Sequence, residues 1–343
     1  MRTKMSGEGR CPVLFSQSYL EFMAEQGHSI EHVLRSAKIP FASVQPNMGL
    51  TYSEYMRLLD EVHVRFGGEG IGLELGNRLP LTALGSFGHA VLASATLGDA
   101  LRLCERFWLL YGIGMSFSMD VIDGICVLDV QLLPLIPERH RQIELEYALT
   151  GIYRACVLMQ PELLTTSETW FDFAVPPYVD KARLFLGTVR YDMPACQIRF
   201  PALLLDTPLM LAHPAGQKLA VARCEEEAAL LGRSDVAGDV LRALKRQGNR
   251  YPDFEQVARQ LNMTARTLRR RLKEEEASFL ELLNSVRRKD AMSLLANPDV
   301  DIYQVAEKMG YVDPANFTRA FRQWVGQTPS QYRKASHPDL FQV

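Results

Sequence analysis

The sequence predicts an α+β N-terminal domain followed by an all-α C-terminal domain with two helix-turn-helix modules joined by a long helix. Helix and strand patterns alternate before residue 213, whereas only helical patterns follow residue 236. In addition, a segment of about 17 residues occurs twice in the C-terminal part. We therefore expect an N-terminal domain at 11–213, a linker helix and connection at 214–235, and a C-terminal domain at 236–335.

The composition is that of an ordinary globular protein. Of 343 residues, 47% are apolar and 23% are charged. Apolar runs are shorter than the roughly 18 residues that a membrane-spanning helix needs, and the N-terminus lacks the pattern of a signal peptide. We expect a cytoplasmic protein without membrane contact. Its cysteines are far apart in the sequence and are expected to be free thiols: Cys11, Cys104, Cys126, Cys156, Cys196 and Cys224.

Local signals predict the elements of the N-terminal domain. Thr51 or Ser53 can cap a helix that ends near residue 66, and Thr96 with Asp99 resembles a capping box. The glycine-rich stretch 67–76 is expected to end the first of these helices and to form a connection. A dinucleotide-binding loop is disfavoured there because no strand precedes the stretch. Alternating residues around Asp123-Gly124 predict a β-hairpin over 115–133.

An acidic pattern marks the helix predicted near residue 140. Glu138, His140, Glu144 and Glu146 lie close together in the sequence. We weigh a metal or catalytic site against a salt-bridged helix surface and favour the surface. The histidines show no metal-ligand spacing, so neither a metal nor a cofactor is expected.

The repeated segment has the pattern of a helix-turn-helix. Residues 256–272 align with residues 304–321, which contain one additional residue. In each copy a first helix is followed by a turn, a capping residue (Thr264 or Asp313) and a second helix with an i,i+4 apolar pair. The expected core residues are Val257, Ala258, Leu261, Leu268, Leu272, Val305, Ala306, Met309, Phe317 and Phe321.

Arginines concentrate on the second helix of the first module. The residues from 233 onward carry 19 basic and 14 acidic side chains, although the whole chain has a formal net charge of −2. With Leu268 and Leu272 inward, Arg266, Arg269 and Arg270 point outward near the start of the helix. That end of a recognition helix enters the major groove, where arginine can pair with guanine. A solvated surface helix is the plainer alternative.

The C-terminal part resembles the DNA-binding domain of the AraC/XylS family. The resemblance covers 236–335, including "VARQLNMTARTLRRRLKEE" and the ending with Gly326, Pro329, Tyr332 and Arg333. It implies a sequence-specific transcriptional regulator, expected to be an activator, with promoter DNA and RNA polymerase as partners. It assigns base-facing positions to Arg266, Arg269 and Arg270 in the first module. In the second module it assigns them to Ala315, Asn316, Thr318 and Arg319.

The N-terminal part is similar to the effector domain of the family subgroup that includes ornithine-utilisation and virulence regulators. The similarity is carried by "LGSFGHAVLASATLGDALRLCERF" and "LLLDTPL". It implies an arabinose-binding-domain-like module, although no barrel of strands is expected before residue 115. Aromatic residues are candidates for the effector site: Phe87, Phe107, Trp108, Tyr111 and Trp170.

The sequence is compatible with several functional alternatives. The effector is expected to be lipid-like or amino-acid-like, and Arg154, Arg183 and Glu146 could pair with charged ends of the latter. The helix 217–231 is expected to connect the domains or to help form a homodimer. A DNA-repair enzyme fused to a DNA-binding domain requires an activated cysteine, for which no neighbouring residues are apparent. A DNA-binding protein without an effector is disfavoured by the long N-terminal domain. We do not expect an enzyme.

Overall fold

A computed structural model shows two compact units, Met1–Arg233 and Ser234–Val343. The structure describes residues 10–11, 13–45, 49–111, 115–132, 136–193, 195–230, 236–244, 248, 250–274, 277–295 and 300–336.

The N-terminal unit combines helices with one main sheet. Its described helices are α1 (Val13–Glu25), α2 (Ile30–Ser36), α3 (Tyr52–Phe66), α4 (Ile71–Arg78), α5 (Gly85–Leu92), α6 (Leu97–Tyr111), α7 (Glu138–Met159), α8 (Leu163–Thr166), α9 (Val179–Leu186) and α10 (Pro214–Leu230). Its described strands are β1 (Arg10–Cys11), β2 (Leu50–Thr51), β3 (Met115–Ile122), β4 (Ile125–Leu132), β5 (Glu168–Trp170), β6 (Thr188–Arg190) and β7 (Gln197–Pro201).

The main sheet has the strand order β3-β4-β7-β5-β6. Among the described strands of this sheet, β5 and β6 pair in parallel and the other neighbours are antiparallel. Asp123 and Gly124 both have positive φ angles, of 49° and 77°, as the tight turn of the predicted hairpin requires. Before residue 115 the described strands are the two-residue strands β1 and β2, so the expected absence of an early barrel holds for the described residues.

Side-chain caps begin the predicted helices. The Thr51 hydroxyl accepts a hydrogen bond from the Glu54 amide, and Glu54 accepts one from the Thr51 amide, which completes a capping box at α3. At the start of α6, the Thr96 hydroxyl accepts from the Asp99 amide at 3.1 Å. Both helix starts are therefore fixed by short-range chemistry that the sequence reveals.

The glycine-rich stretch departs from the expectation of a connection. Gly67 ends α3, but Ile71–Arg78 forms helix α4. The glycines permit close contact with α7, because a Cβ on Gly72 would lie 2.3 Å from the Ile143 carbonyl oxygen and one on Gly76 would lie 2.6 Å from the Tyr147 carbonyl oxygen. Tertiary contact thus favours a helix that local propensity disfavours.

Helix α7 is central to the N-terminal unit. It contacts α3, α4 and α9 as well as β4 and β7. His140, Glu144 and Glu146 are all buried, so the expectation that they lie on a helix surface is wrong. The physical reason is that elements cover α7 on several sides, which leaves these positions no solvent-facing surface. His140 nevertheless has an acidic neighbour, since its Nε2 atom lies 3.0 Å from the Asp60 carboxylate.

The secondary-structure elements described in the C-terminal unit are all helices, as predicted. Its helices are α11 (Val236–Ala243), α12 (Phe254–Gln260), α13 (Ala265–Glu274), α14 (Phe279–Leu295), α15 (Ile302–Lys308), α16 (Pro314–Val325) and α17 (Pro329–Ser336). The long helix α14 contacts α11, α16 and α17, and so joins the two helix-turn-helix modules within one unit.

We predict that Gly76→Ala destabilises the protein by about 1–3 kcal/mol, because the new methyl group meets backbone atoms of α7. Gly151→Ala in α7 is a matched control, since its Cβ would meet the nearest atom at an ordinary 3.6 Å. The control gains helix propensity and is expected to be neutral or slightly stabilising. Urea denaturation checks both variants, and equal stabilities for the two would contradict the close α4–α7 contact.

Candidate nucleic-acid interface and ligand cavity

The first helix-turn-helix consists of α12, a turn and α13. Asp253 and Gln256 form a capping box at the start of α12. The turn passes through Asn262, whose φ angle is 53°. The Thr264 hydroxyl then accepts a hydrogen bond from the Thr267 amide at 3.1 Å, which starts α13 at the predicted place.

The second module repeats this construction with α15 and α16. Gly310, with a φ angle of 82°, takes the turn position, and the Asp313 carboxylate accepts from the Ala315 amide at 2.8 Å. Pro314 occupies the first turn of α16. The additional residue in this module accompanies an aromatic contact, since the Tyr311 ring lies 5.6 Å from that of Phe317.

Apolar contacts hold each second helix against its partner. In the first module α13 inserts the buried residues Leu268 and Leu272 into a cluster that includes α11, α12 and α14. In the second, Phe317 and Phe321 of α16 are both fully buried. Every predicted core residue is buried except Leu261, which is half-buried. These contacts fix which faces of α13 and α16 point outward.

The predicted DNA-contacting side chains lie on the outward faces. Arg266, Arg269 and Arg270 are exposed on α13, and the guanidinium of Arg269 lies 5.2 Å from the centre of the Phe254 ring. On α16, Ala315, Asn316 and Arg319 are exposed and Thr318 is half-buried. Arg319 donates a hydrogen bond to the Asn316 side-chain oxygen, so these two polar groups are held together.

The last helix closes the second module. Gly326 ends α16 with a φ angle of 82°. Tyr332 packs edge-on against Phe321, and the Arg333 guanidinium donates to the carbonyl oxygens of Leu295 and Val300, at 3.3 and 2.6 Å. Arg333 thereby satisfies a carbonyl at the end of α14, which gives the Tyr-Arg ending a structural role.

An apolar cavity lies inside the N-terminal unit. Its volume is about 110 Å³, and it is bounded mainly by α5, α6, α7 and β3. The lining residues are Phe15, Tyr55, Leu79, Leu81, Leu84, Phe87, Val91, Leu101, Cys104, Trp108, Met115, Phe117, Glu144, Tyr147, Ala148, Gly151, Ile152, Ala155, Cys156 and Met159. Within the described chain, no lysine, arginine or histidine lines it.

The structure brings two of the predicted effector residues together. Phe87 and Trp108 line the cavity, and Trp108 stacks on Phe117 at 5.0 Å. Phe107 does not line it, because α6 turns that side chain into the surrounding apolar core. Trp170 lies on β5 beneath the Arg199 guanidinium. The side chain of Tyr111 lies outside the described residues.

Glu144 is a cavity residue that the sequence analysis did not identify. Its side chain is 2% exposed, and its Oε1 atom accepts hydrogen bonds from the hydroxyls of Tyr19, at 2.7 Å, and Tyr55, at 3.1 Å. Burial raises the pKa of Glu144 to about 7, although the tyrosine hydrogen bonds oppose the rise. The helical spacing of Glu144 with Tyr147, Ala148 and Gly151 was a usable signal, because it places all four on one face.

A second buried carboxylate lies on another face of α7. Glu146 is 1% exposed and accepts from the Tyr178 hydroxyl at 2.8 Å and from the Gln142 amide at 3.2 Å. Burial raises its pKa to about 7 as well. Glu146 does not line the cavity.

The cysteines with described side chains are Cys104, Cys126, Cys156, Cys196 and Cys224, and each is a free thiol. Burial raises the pKa of both Cys104 and Cys126 to about 12. A thiol needs a lowered pKa to act as a nucleophile at neutral pH. These environments therefore do not support an alkyl-transfer enzyme.

Among the described residues, no group of three or more histidine, cysteine, aspartate and glutamate side chains is placed to hold a metal ion. No helix in the described ranges is both long and apolar enough to cross a bilayer.

Comparison with known proteins agrees with both halves of this architecture. The family described as the arabinose-binding domain of AraC transcription regulators matches residues 27–209, and a helix-turn-helix domain family matches residues 257–335. The chain is 29% identical to the ornithine utilization regulator of Pseudomonas aeruginosa over 331 residues, which cover 94% of this chain and 96% of that protein.

Two other proteins of Pseudomonas aeruginosa are also similar. The transcriptional regulator VqsM is 24% identical over 278 residues, or 78% of this chain and 84% of VqsM. The crystal structure of the transcriptional regulator CdpR aligns with a TM-score of 0.49 at 23% identity, covering 94% of this chain and 98% of CdpR.

This chain belongs to the AraC family of transcriptional regulators. It is a DNA-binding regulator with an N-terminal ligand-binding domain, and it is not an enzyme.

The exposed arginines generate a prediction about DNA affinity. We expect Arg266→Ala, Arg269→Ala and Arg270→Ala each to weaken binding to the specific promoter site by about 1–3 kcal/mol, because each removes a guanidinium group that we expect to pair with a base edge. Non-specific binding should fall less. Arg35→Ala, on the exposed face of α2, removes the same charge elsewhere and is the control. Fluorescence anisotropy at fixed salt measures all four, and wild-type affinity in the three α13 variants would refute the assignment.

The buried carboxylates generate a prediction about pH. Because the folded-state pKa values of Glu144 and Glu146 are raised to about 7, the unfolded chain loses these protons first as the pH rises. Their stabilising contribution is thus present in acid and is lost as the pH rises towards 7. We expect Glu144→Gln and Glu146→Gln each to reduce the loss of stability between pH 5.5 and about 8. Urea midpoints at both pH values test this, and an unchanged difference would contradict it.

Proposed function

We propose that this regulator binds a small, largely apolar effector in the cavity beside α7 and that binding changes its affinity for promoter DNA. The observation that carries the proposal is the cavity itself, whose lining is apolar or aromatic apart from the carboxylate of Glu144. A shift in DNA affinity requires the effector to favour one arrangement of the protein over another.

The lining favours a lipid-like effector over an amino-acid-like one. An amino acid carries a carboxylate, and no cationic side chain lines the cavity within the described residues. The cavity lining does not include Arg154, Arg183 or Glu146, and Arg183 pairs with Asp180 at the surface. The similarity to the ornithine utilization regulator is therefore not taken as support for an amino-acid effector in this cavity.

For the DNA-binding unit, we propose that α13 and α16 read two short boxes about one duplex turn apart, or ~34 Å. Arg266, Arg269 and Arg270 supply bidentate contacts in the first box. The second box is read through Asn316, Thr318 and Arg319, and Ala315 can offer only a methyl contact. The second module is accordingly the more permissive reader.

We further propose an activator that contacts RNA polymerase in the cytoplasm, with the domains at 11–213 and 236–335 and the linker at 214–235. Helix α10 packs on α5, where the Ser86 hydroxyl donates to Glu227 at 2.9 Å and the Gln217 amide donates to the Ser94 hydroxyl at 3.0 Å. Leu219 remains 75% exposed on α10. This exposed apolar position supports a homodimer contact along α10.

The effector proposal is tested with octan-1-ol as a neutral apolar probe. We expect it to raise the thermal midpoint of the full-length protein and to change promoter affinity severalfold. Ala148→Phe fills part of the cavity and should abolish both effects, while the variant without probe keeps its DNA affinity. Probe binding of equal strength in wild type and Ala148→Phe would place the site elsewhere.

The two-box proposal is tested on the promoter. Inserting half a helical turn between the boxes places them on opposite faces of the duplex, so we expect tight binding to be lost. Inserting a full turn, about 10 base pairs, is the control for added length. Equal affinity for the original and the half-turn spacing would show that the two modules act independently.

A further inference from the structure

We infer that Glu144 and the tyrosines around it form a recognition site for a primary amine in the wall of the apolar cavity. The effector is then an apolar molecule with a cationic, hydrogen-bond-donating head group. This inference rests on the proposed use of the cavity as the effector site and specifies the chemistry that the site selects.

Glu144 is part of the cavity wall, and we take its carboxylate as the polar group that a ligand meets there. Glu144 lines the cavity together with Tyr55 and Tyr147, whereas the rest of the lining is formed by aliphatic, aromatic and sulfur-containing side chains and by Gly151. A buried carboxylate in such surroundings is costly unless its oxygens are well satisfied. Its presence in the lining therefore calls for a partner.

The hydrogen bonds from protein groups leave acceptor capacity on Glu144. An ionised carboxylate offers roughly four lone-pair sites. Tyr19 donates to Oε1, and the single hydroxyl proton of Tyr55 is shared between Oε1, at 3.1 Å, and Oε2, at 3.2 Å. The two tyrosines thus supply two protons, which leaves room for further donors at Oε2.

A third tyrosine, Tyr147, lies one helical turn from Glu144 on α7 and provides a further polar group in the lining. Its side chain is 3% exposed. The Tyr147 hydroxyl approaches Ser18, but the Ser18 hydroxyl donates to the Leu14 carbonyl oxygen at 3.0 Å, and the hydrogen-bond geometry of the described residues gives the Tyr147 hydroxyl no partner. A buried hydroxyl without a partner is rare in folded proteins, and such groups mark places where a ligand or water completes the site.

The chemistry of these atoms selects an amine. An alkylammonium group has three N–H donors and a positive charge, which match the open acceptor sites of Glu144 and the hydroxyl oxygen of Tyr147. A ligand carboxylate would be repelled by the carboxylate of Glu144, and no cationic side chain in the described lining would balance the two negative charges. An alcohol can donate one hydrogen bond but supplies no charge.

Burial of Glu144 supports the same assignment. It raises the pKa of the carboxyl to about 7 in the ligand-free protein, so the carboxyl readily holds a proton near neutral pH. An ammonium group replaces that proton as the compensating positive charge. The charge pair then forms inside an apolar cavity, where charge-assisted hydrogen bonds are strongest.

Three probes with one chain length test the inference: octylamine, octan-1-ol and sodium octanoate, titrated into the full-length protein by calorimetry at pH 7.5. We expect octylamine to bind at least about tenfold more tightly than the other two, because only it forms the charged contact. In Glu144→Gln the preference for the amine over the alcohol should shrink to about threefold or less. Glu146→Gln is the matched control, since that carboxylate lies on the same helix outside the cavity, and it should keep the wild-type preference.

The possible results distinguish failure of the amine site from failure of the effector cavity as a whole. Binding of all three probes without an amine preference, or a preference that persists in Glu144→Gln, overturns the amine site and leaves the apolar effector cavity intact. Absence of binding by every probe overturns both. If Glu144→Gln does not fold, the wild-type series decides: octanoate binding as tightly as octylamine contradicts the inference.

Discussion

Helix α7 is enclosed by other elements, and the packing of the N-terminal unit is organised around it. Two of its residues, Glu144 and Glu146, are separated by about 200° around the helix axis, and both are buried. Each carboxylate is met by tyrosine hydroxyls from other elements, Tyr19 and Tyr55 on one face and Tyr178 on the other. Packing on α7 can proceed from opposite sides only because these partners compensate the buried acids, and the same arrangement leaves the cavity beside Glu144.

The C-terminal unit uses one construction twice. In each module a capping side chain fixes the start of the second helix, and an i,i+4 apolar pair fixes its rotation, so the outward face is determined by short-range chemistry and two buried residues. The modules differ in what that face carries. Arginines dominate α13, whereas α16 presents a short methyl group at Ala315 and an Arg319 already bonded to Asn316. This difference is the basis of our proposal that the first module selects its bases more strictly than the second.

Local signals in the sequence predicted much of the fold. The sequence alone is enough to recognise features that depend on residues close together in the chain. These are the Asp123-Gly124 turn, the Thr51 and Thr96 caps and the repeated helix-turn-helix. Helix α4 was not predicted because its glycines are explained by contact with α7, which is distant in sequence. The buried positions of Glu144 and Glu146 on α7 were not predicted for a related reason. Their tyrosine partners are distant in sequence, so the local sequence of these carboxylates does not differ from that of a surface helix. Among the residues that line the cavity, the sequence predicted Phe87 and Trp108. It did not predict that Glu144 and Tyr147 also belong to the lining.

We propose that occupancy of the cavity beside α7 is communicated to the DNA-binding helices. Hydrogen–deuterium exchange of the full-length protein, with and without saturating octylamine, can detect this coupling because exchange reports local stability along the whole backbone. We expect slower exchange in α7 and α5 and, in the same sample, altered exchange in α13 or α16. Protection of α7 with unchanged exchange in both α13 and α16 would show that the cavity and the DNA-binding helices are not coupled.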